Sequence, residues 1–136
     1  MIILDTNVLS EFMRGGEASP VVLDWVRGLR EQPVTTVINR AEILAGVALL
    51  PAGERRDHLE TVATAAFDTL GVCLPLVPEC AVEYAKIVVA RRAMGRPIGG
   101  MDALIATIAR ASGSALATRD TSDFEGIGLQ LINPWR

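Results

Sequence analysis

Apolar positions along the chain fall into short β-branched runs and longer stretches with helical spacing. The short runs predict five strands, at residues 1–4, 34–38, 72–77, 114–118 and 129–132. The longer stretches predict the helices between them. The clearest of these predicted helices extends from Glu54 to Leu70, and its apolar stripe ends before Gly71, which stops the helix. Strands that alternate with helices predict an α/β fold with a parallel sheet covered on both faces.

Two further helices carry predictions that depend on individual residues. Asn39 is predicted to cap one helix, and a longer helix is predicted from Pro78 to about Met94. The residues predicted to face inward are Ile43, Leu44 and Val47 in the first, and Val82, Ala85, Val88 and Val89 in the second. These assignments fix which faces pack against the sheet.

The length of 136 residues predicts a single domain, and the apolar content is high, with a mean hydropathy of +0.34. No apolar stretch approaches the roughly 18 residues of a membrane helix, and no signal-peptide pattern precedes Asp5. We therefore expect a cytoplasmic protein without a membrane segment. The apolar excess has two open explanations: an exposed patch that binds a protein partner, or an alanine-rich composition that creates no patch.

Charge and rare residues exclude several classes of protein. The net charge of −3 is not that of a basic nucleic-acid-binding domain, and His58 is the only histidine. The chain therefore lacks the residues that a ribonuclease with paired histidines or a Ser-His-Asp hydrolase needs. No phosphate-binding loop of the GxxxxGK[ST] type is present. Cys73 and Cys80 lie among apolar residues without zinc-ligand spacing, which is typical of core cysteines in a reducing compartment.

Four carboxylates lie at strand ends or helix starts: Asp5, Glu42, Asp102 and Asp120. Because the carboxyl ends of parallel strands meet at one edge of a sheet, we expect these side chains to converge. Each also has a structural explanation. Asp5 could cap a helix, and Glu42 could form a capping box with Asn39. Asp102 could interact with a helix dipole, and Asp120 could form a turn.

Convergence of several carboxylates would need a neutralising charge. Like charges about 4 Å apart repel by several kcal/mol at an intermediate effective dielectric. No lysine lies near these carboxylates in the sequence, and oxygen ligands without histidine or cysteine suit Mg²⁺ or Mn²⁺. The pattern therefore predicts a divalent-metal site, with Asp123 as a peripheral candidate. Thr6, Asn7 and Thr118 could orient the carboxylates or could serve as cap and turn residues.

The same motifs resemble the PIN-domain ribonucleases, in particular the small toxins of the VapC and FitB type. The resemblance rests on Ile3-Leu4-Asp5-Thr6-Asn7, Asn39-Arg40-Ala41-Glu42, Met101-Asp102-Ala103-Leu104-Ile105-Ala106, Thr118-Arg119-Asp120 and the closing Asn133-Pro134-Trp135. It spans the chain, so residues 1–136 would form one PIN domain. Two positions depart from the family, which often has serine or threonine in place of Asn39 and aspartate in place of Val77.

The resemblance implies a three-layer α/β/α sandwich with a central, mainly parallel sheet. It implies an endoribonuclease dependent on Mg²⁺ or Mn²⁺, with Asp5, Glu42, Asp102 and Asp120 as the acidic cluster. It also implies a homodimer and a cognate antitoxin that inhibits the enzyme and carries the DNA-binding part of the complex. Hydrolysis by a metal-activated water would leave 5′-phosphate and 3′-hydroxyl ends.

The sequence leaves substrate recognition open and allows two competing functions. Arginines that flank the motifs could contact RNA phosphates or could simply be solvated: Arg14, Arg40, Arg91, Arg92, Arg96 and Arg119. One competing function is a non-catalytic binding module within a DNA-bound regulatory complex, which the apolar excess favours. The other is a nuclease for structured DNA, which the absence of a basic domain disfavours.

Overall fold

The strand β1 (Ile2–Leu4) lies at the centre of a parallel sheet, in a computed structural model that describes residues 1–136. It pairs with β4 (Ala115–Ala117), which pairs in turn with β5 (Leu131–Ile132). On its other side, a parallel bridge between Ile3 and Val34 connects it to β2 (Thr35–Thr36) and β3 (Cys73–Leu74). The strand order is therefore β3-β2-β1-β4-β5, and the predicted parallel arrangement is confirmed.

Six α-helices and two short 3-10 helices connect these strands. The α-helices are α1 (Thr6–Phe12), α2 (Pro20–Arg27), α3 (Val37–Ala48), α4 (Glu54–Leu70), α5 (Cys80–Ala93) and α6 (Gly100–Ser112). The 3-10 helices are Gly15–Glu17 and Thr121–Phe124. The bounds of α4 agree with the prediction, and Gly71 ends that helix with a positive φ of 74°. None of the helices is long and apolar enough to cross a membrane.

Side chains of β1 alternate between two hydrophobic layers, because successive strand residues point to opposite faces. Ile2 and Leu4 belong to one layer, which includes residues of α1 to α4 such as Phe67. Ile3 belongs to the other layer, which includes residues of α5 and α6 such as Ile87. This arrangement is the predicted α/β/α sandwich. It places the carboxyl ends of β1 and β4 at one edge, between the starts of α1, α3 and α6.

Two helix predictions are wrong in detail. Thr36, rather than Asn39, caps α3, and its Oγ1 accepts a hydrogen bond from the Asn39 amide at 3.1 Å. The inward face of α5 consists of Cys80, Ile87 and Arg91, whereas Val82 and Val89 are 59% and 68% exposed. Most of the predicted stripe of α5 therefore faces solvent, and within it only Val88 is half-buried. In α3, Ile43 and Val47 are buried as predicted, but Leu44 is 40% exposed.

Candidate functional site

The four predicted carboxylates come from four elements that end or begin at the same edge of the sheet. Asp5 directly follows β1 and caps α1, and Glu42 lies in the second turn of α3. Asp102 lies in the first turn of α6, and Asp120 precedes the 3-10 helix after β4. The structure therefore brings these side chains to one region.

Asp5 is the most buried of these carboxylates, at 6% exposure, and three donors hold it. Its Oδ1 accepts from the Thr6 amide at 2.9 Å and from Asn39 Nδ2 at 3.1 Å, and its Oδ2 accepts from Thr118 Oγ1 at 2.7 Å. Burial raises the pKa of Asp5, and these hydrogen bonds partly oppose that rise. Asp5 makes no contact with a neutralising side chain, so its orientation is fixed while its charge is not compensated.

Glu42 is connected to Asp5 through a chain of neutral side chains. Thr6 Oγ1 donates to Glu42 Oε1 at 2.8 Å and accepts from Asn39 Nδ2 at 3.1 Å. The predicted capping box is therefore wrong, because Glu42 bonds to Thr6 and not back to the cap of its own helix. Asn39 is fully buried and joins the two carboxylate-bearing elements. Its role was missed in the sequence because its position three residues before Glu42 suggested a cap.

Asp120 is held on the opposite side of Asp5 by a second set of polar contacts. Asn7 Nδ2 donates to Asp120 Oδ2 at 3.2 Å and to Thr118 Oγ1 at 3.3 Å. The Asp120 amide also donates to Thr118 Oγ1, at 3.1 Å. Thr118 thus touches both Asp5 and Asp120. The three residues expected to orient the carboxylates, Thr6, Asn7 and Thr118, all contact at least one of them.

Asp102 differs from Asp5, Glu42 and Asp120 because its carboxylate accepts no hydrogen bond from the protein. Its pKa is raised from 3.8 to about 6, first by desolvation and then by the surrounding negative charges. Those charges belong to Asp5, Asp123, Glu42 and Asp120. The raised pKa of Asp102 therefore indicates that all five carboxylates share one electrostatic environment, including the peripheral candidate Asp123.

The donor set of this site fits a hard divalent cation, although the carboxylates do not form a closed coordination shell. Oxygen is the only ligand type available, and no arginine or lysine forms an ion pair with any of the five carboxylates. No group of three or more His, Cys, Asp or Glu side chains is spaced so that it could already hold an ion. The match to Mg²⁺ or Mn²⁺ therefore rests on charge and ligand chemistry.

The six arginines that flank the motifs occupy different environments. The Arg91 side chain is buried and donates only to backbone carbonyl oxygens, so the prediction that it could contact RNA is wrong. Arg119 is exposed beside Asp120, and its guanidinium carbon lies 5.0 Å from the centroid of the Trp135 ring. The other four are at least partly exposed: Arg14, Arg40, Arg92 and Arg96.

An apolar groove of about 690 Å³ lies between α1, α2 and α4, and none of the five carboxylates of the candidate site lines it. Its apolar lining includes Leu9, Phe12, Val26, Leu29, Val62, Ala65, Ala66 and Leu70. Arg27 and Arg30 lie on its α2 side. A concave apolar surface of this size favours the predicted exposed patch over a merely alanine-rich composition.

Comparison with known proteins gives a consistent result over the whole chain. A family model described as PIN domain matches residues 2–128. The chain is 39% identical to VapC ribonuclease Y4jK of Sinorhizobium fredii, over 99% of this chain and 98% of that protein. It is 34% identical to toxin FitB of Neisseria gonorrhoeae, over 99% of both chains.

A further relative and a solved structure extend this match. Plasmid stability protein StbB of Pseudomonas syringae pv. tomato is 41% identical, over 99% of both chains. The solved structure of FitAB bound to a DNA fragment contains a chain that superposes with a TM-score of 0.91 at 34% identity, covering 100% of this chain and 96% of that one.

Proposed function

Because the chain belongs to the PIN-domain family of VapC and FitB toxins, we propose that it is the toxin of a toxin-antitoxin pair and a Mg²⁺- or Mn²⁺-dependent endoribonuclease. Residues 1–136 act as one PIN domain in this proposal. The observation that carries it is the convergence of Asp5, Glu42, Asp102 and Asp120 without a compensating cation. Two relatives are named as a ribonuclease and as a toxin, which supports the same activity.

In the proposed mechanism, Asp5, Glu42, Asp102 and Asp120 would hold the divalent ion. Such an ion, when bound, would supply a water of lowered pKa and charge stabilisation at the phosphate oxygens. Thr118 and Asn39 fix the two oxygens of Asp5, and Thr6 orients Glu42 by donating to it. These contacts pre-orient the carboxylates of Asp5 and Glu42, so that these two side chains need little rearrangement when charge develops on the substrate.

A route through the RNA 2′-hydroxyl lacks its usual catalytic groups. That route needs a general base and a general acid close to the reacting atoms, commonly a pair of histidines. His58 is the only histidine, and it lies exposed on α4, a helix that carries none of the carboxylates of the site. We therefore expect hydrolysis that leaves 5′-phosphate and 3′-hydroxyl ends.

The direct test is incubation of purified protein with total RNA in Mg²⁺, Mn²⁺ or EDTA, followed by mapping of the ends. Cleavage is expected with either metal and not with EDTA. Asp5→Asn should be inactive, and Asp68→Asn, which changes an exposed carboxylate on α4, should be active. Products with 2′,3′-cyclic phosphate ends, or activity that survives EDTA, would contradict the proposal.

The pKa of Asp102 predicts how metal affinity depends on pH. Its carboxyl keeps a proton up to about pH 6, and an ion that binds there must displace that proton. The apparent affinity for Mn²⁺ should therefore fall below pH 6, by up to about tenfold per pH unit for one competing proton. Calorimetric titration of wild type at pH 5, 6 and 7.5 checks this. The same series with Asp102→Asn should show a weaker affinity with a flatter pH dependence.

The apolar groove between α1, α2 and α4 is the proposed binding site for the antitoxin. Solved relatives include a toxin-antitoxin complex on DNA, so DNA contact would come through that partner. An apolar partner segment can fill the groove, and a carboxylate on that segment can pair with Arg27 or Arg30. The competing binding-module function would use the same groove. The predicted homodimer is part of the proposal, and sedimentation of the isolated chain tests it.

A charge placed in this groove should abolish antitoxin binding without affecting cleavage. Val62→Asp buries an unpaired carboxylate when the partner docks, so we expect affinity for the antitoxin to fall at least about a hundredfold. Thr64→Asp, on the exposed face of the same helix and outside the groove, is the matched control. If Val62→Asp binds the antitoxin with unchanged affinity in a pull-down titration, the antitoxin binds outside this groove.

A further inference from the structure

Arg91 is a buried cation that the proposed mechanism does not use. It lies in the last turn of α5 with 3% exposure, and no carboxylate forms an ion pair with it. Its Nε donates to the Arg96 carbonyl at 2.8 Å. Its Nη1 donates to the carbonyls of Ser122 and Glu125 at 3.2 and 2.9 Å. One guanidinium therefore joins the loop after α5 to the segment after β4.

Burial of an arginine in this way is costly, since a charge removed from water is normally paired with an opposite charge. The planar guanidinium offers five donors in a fixed geometry, and lysine cannot reproduce that arrangement. Here the donors point at carbonyls from two separate segments. The contacts suit an arginine that fixes backbone geometry, because a packing role alone could be filled by an apolar side chain.

The segment that Arg91 contacts belongs to the candidate site. Asp120 precedes the 3-10 helix Thr121–Phe124, and the Asp123 amide donates to the Asp120 carbonyl at 3.0 Å. Phe124 anchors this segment in the core with 1% exposure. Asn7 and Thr118 hold the Asp120 end, while Arg91 holds the carbonyls at Ser122 and Glu125.

We infer that Arg91 is a positioning residue that fixes the segment 120–125, and through it Asp120 and Asp123, at the edge of the metal site. The inference rests on the proposed function. Asp120 and Asp123 lie in the same negative field as Asp102, so repulsion tends to displace an exposed segment of this kind. Arg96 assists, because its Nη2 donates to the Ser122 carbonyl at 3.0 Å and its Nη1 lies 3.3 Å from Glu125 Oε2.

The test is the Mn²⁺ affinity of full-length Arg91→Lys, measured by calorimetry without RNA. Lysine keeps the charge but cannot bridge the same carbonyls, so we expect the dissociation constant to rise about tenfold, as for other residues that orient metal ligands. Hydrogen exchange of the amides in 121–125 should become faster, and high Mn²⁺ should restore cleavage. Arg92→Lys changes an exposed neighbour that makes no side-chain hydrogen bond, and its Mn²⁺ affinity without RNA should match that of wild type.

Arg96→Gln provides a second variant in case Arg91→Lys does not fold. It removes the guanidinium contacts with the Ser122 carbonyl and the Glu125 carboxylate from an exposed side chain, and we expect about a twofold loss of Mn²⁺ affinity, since Arg91 is retained. A folded Arg91→Lys with a lower melting temperature but wild-type Mn²⁺ affinity would overturn the inference, as would unchanged affinity in Arg96→Gln if Arg91→Lys is unfolded. Wild-type protein that binds no Mn²⁺ would overturn the proposed function, and this inference with it.

Discussion

Asp102→Asn is expected to reduce RNA cleavage by about a thousandfold or more and to stabilise the metal-free protein at neutral pH. Loss of a proposed metal-ligand carboxylate would remove about 4 kcal/mol or more of transition-state stabilisation. The gain in stability has a separate cause. Asp102 accepts no hydrogen bond in the folded protein, while burial and four neighbouring carboxylates raise its pKa from 3.8 to about 6. Asparagine removes the repelled charge and breaks no contact.

The sign of the stability change follows from that raised pKa. The folded state holds the Asp102 proton more tightly than the unfolded state does, so the stability this group provides is present below about pH 4 and is lost as pH rises through about 6. Above pH 6, Asp102→Asn should be more stable by on the order of 1 kcal/mol, allowing for the screening of a part-exposed group. Denaturant titrations in EDTA at pH 4.5 and 7.5 measure this difference. Lower stability of the variant at pH 7.5 would show that Asp102 has a structural role.

Asp5→Ala is expected to abolish cleavage to the same degree but to destabilise the metal-free protein. Three donors lose their acceptor: the Thr6 amide, Asn39 Nδ2 and Thr118 Oγ1. A buried donor without a partner costs about 1–3 kcal/mol, and α1 also loses its N-cap. Relief of the buried charge offsets part of this, so we expect a net loss of about 2 kcal/mol in the free energy of unfolding.

The comparison that isolates this effect is Asp102→Ala, which removes a carboxylate of the same cluster without orphaning a donor. Both variants should be inactive, and only Asp5→Ala should melt at a lower temperature. If the two variants are equally stable, the hydrogen bonds to Asp5 contribute nothing to folding. Charge repulsion alone would make substitutions of Asp5 and Asp102 alike in stability, and these three donors are the reason that we expect them to differ.

The sequence predicted the sheet and the position of the acidic residues well because both depend on local patterns. A β-branched run that ends in a carboxylate identified β1 and Asp5, and a regular stripe with a glycine stop identified α4. The start of α3 was misplaced because the β-branched run from Thr35 to Ile38 favours a strand, whereas Thr36 already caps the helix. The strand propensity of these residues is outweighed there by one side-chain hydrogen bond that caps the helix.

The face of α5 could not be predicted from its own residues. Valine and alanine occur on several sides of this helix, so its apolar pattern does not select one orientation. The observed face includes Arg91, because carbonyls from distant segments satisfy its guanidinium. Asn39 was missed for the same reason: its partners Asp5 and Thr6 lie more than 30 positions earlier in the chain.

The pairing of β1 with β4 has a consequence for folding kinetics. Ile2 pairs with Ala115, and Thr118 donates to Asp5 across 113 positions of sequence. Contacts of such high order form slowly, because most of the chain must be ordered before its ends can meet. On the ribosome, β1 emerges early but has no partner on its β4 side until β4 is synthesised. A nascent chain that has not reached β4 therefore lacks a complete carboxylate site, so we expect the proposed nuclease activity to arise only after β4 and Asp120 have been synthesised.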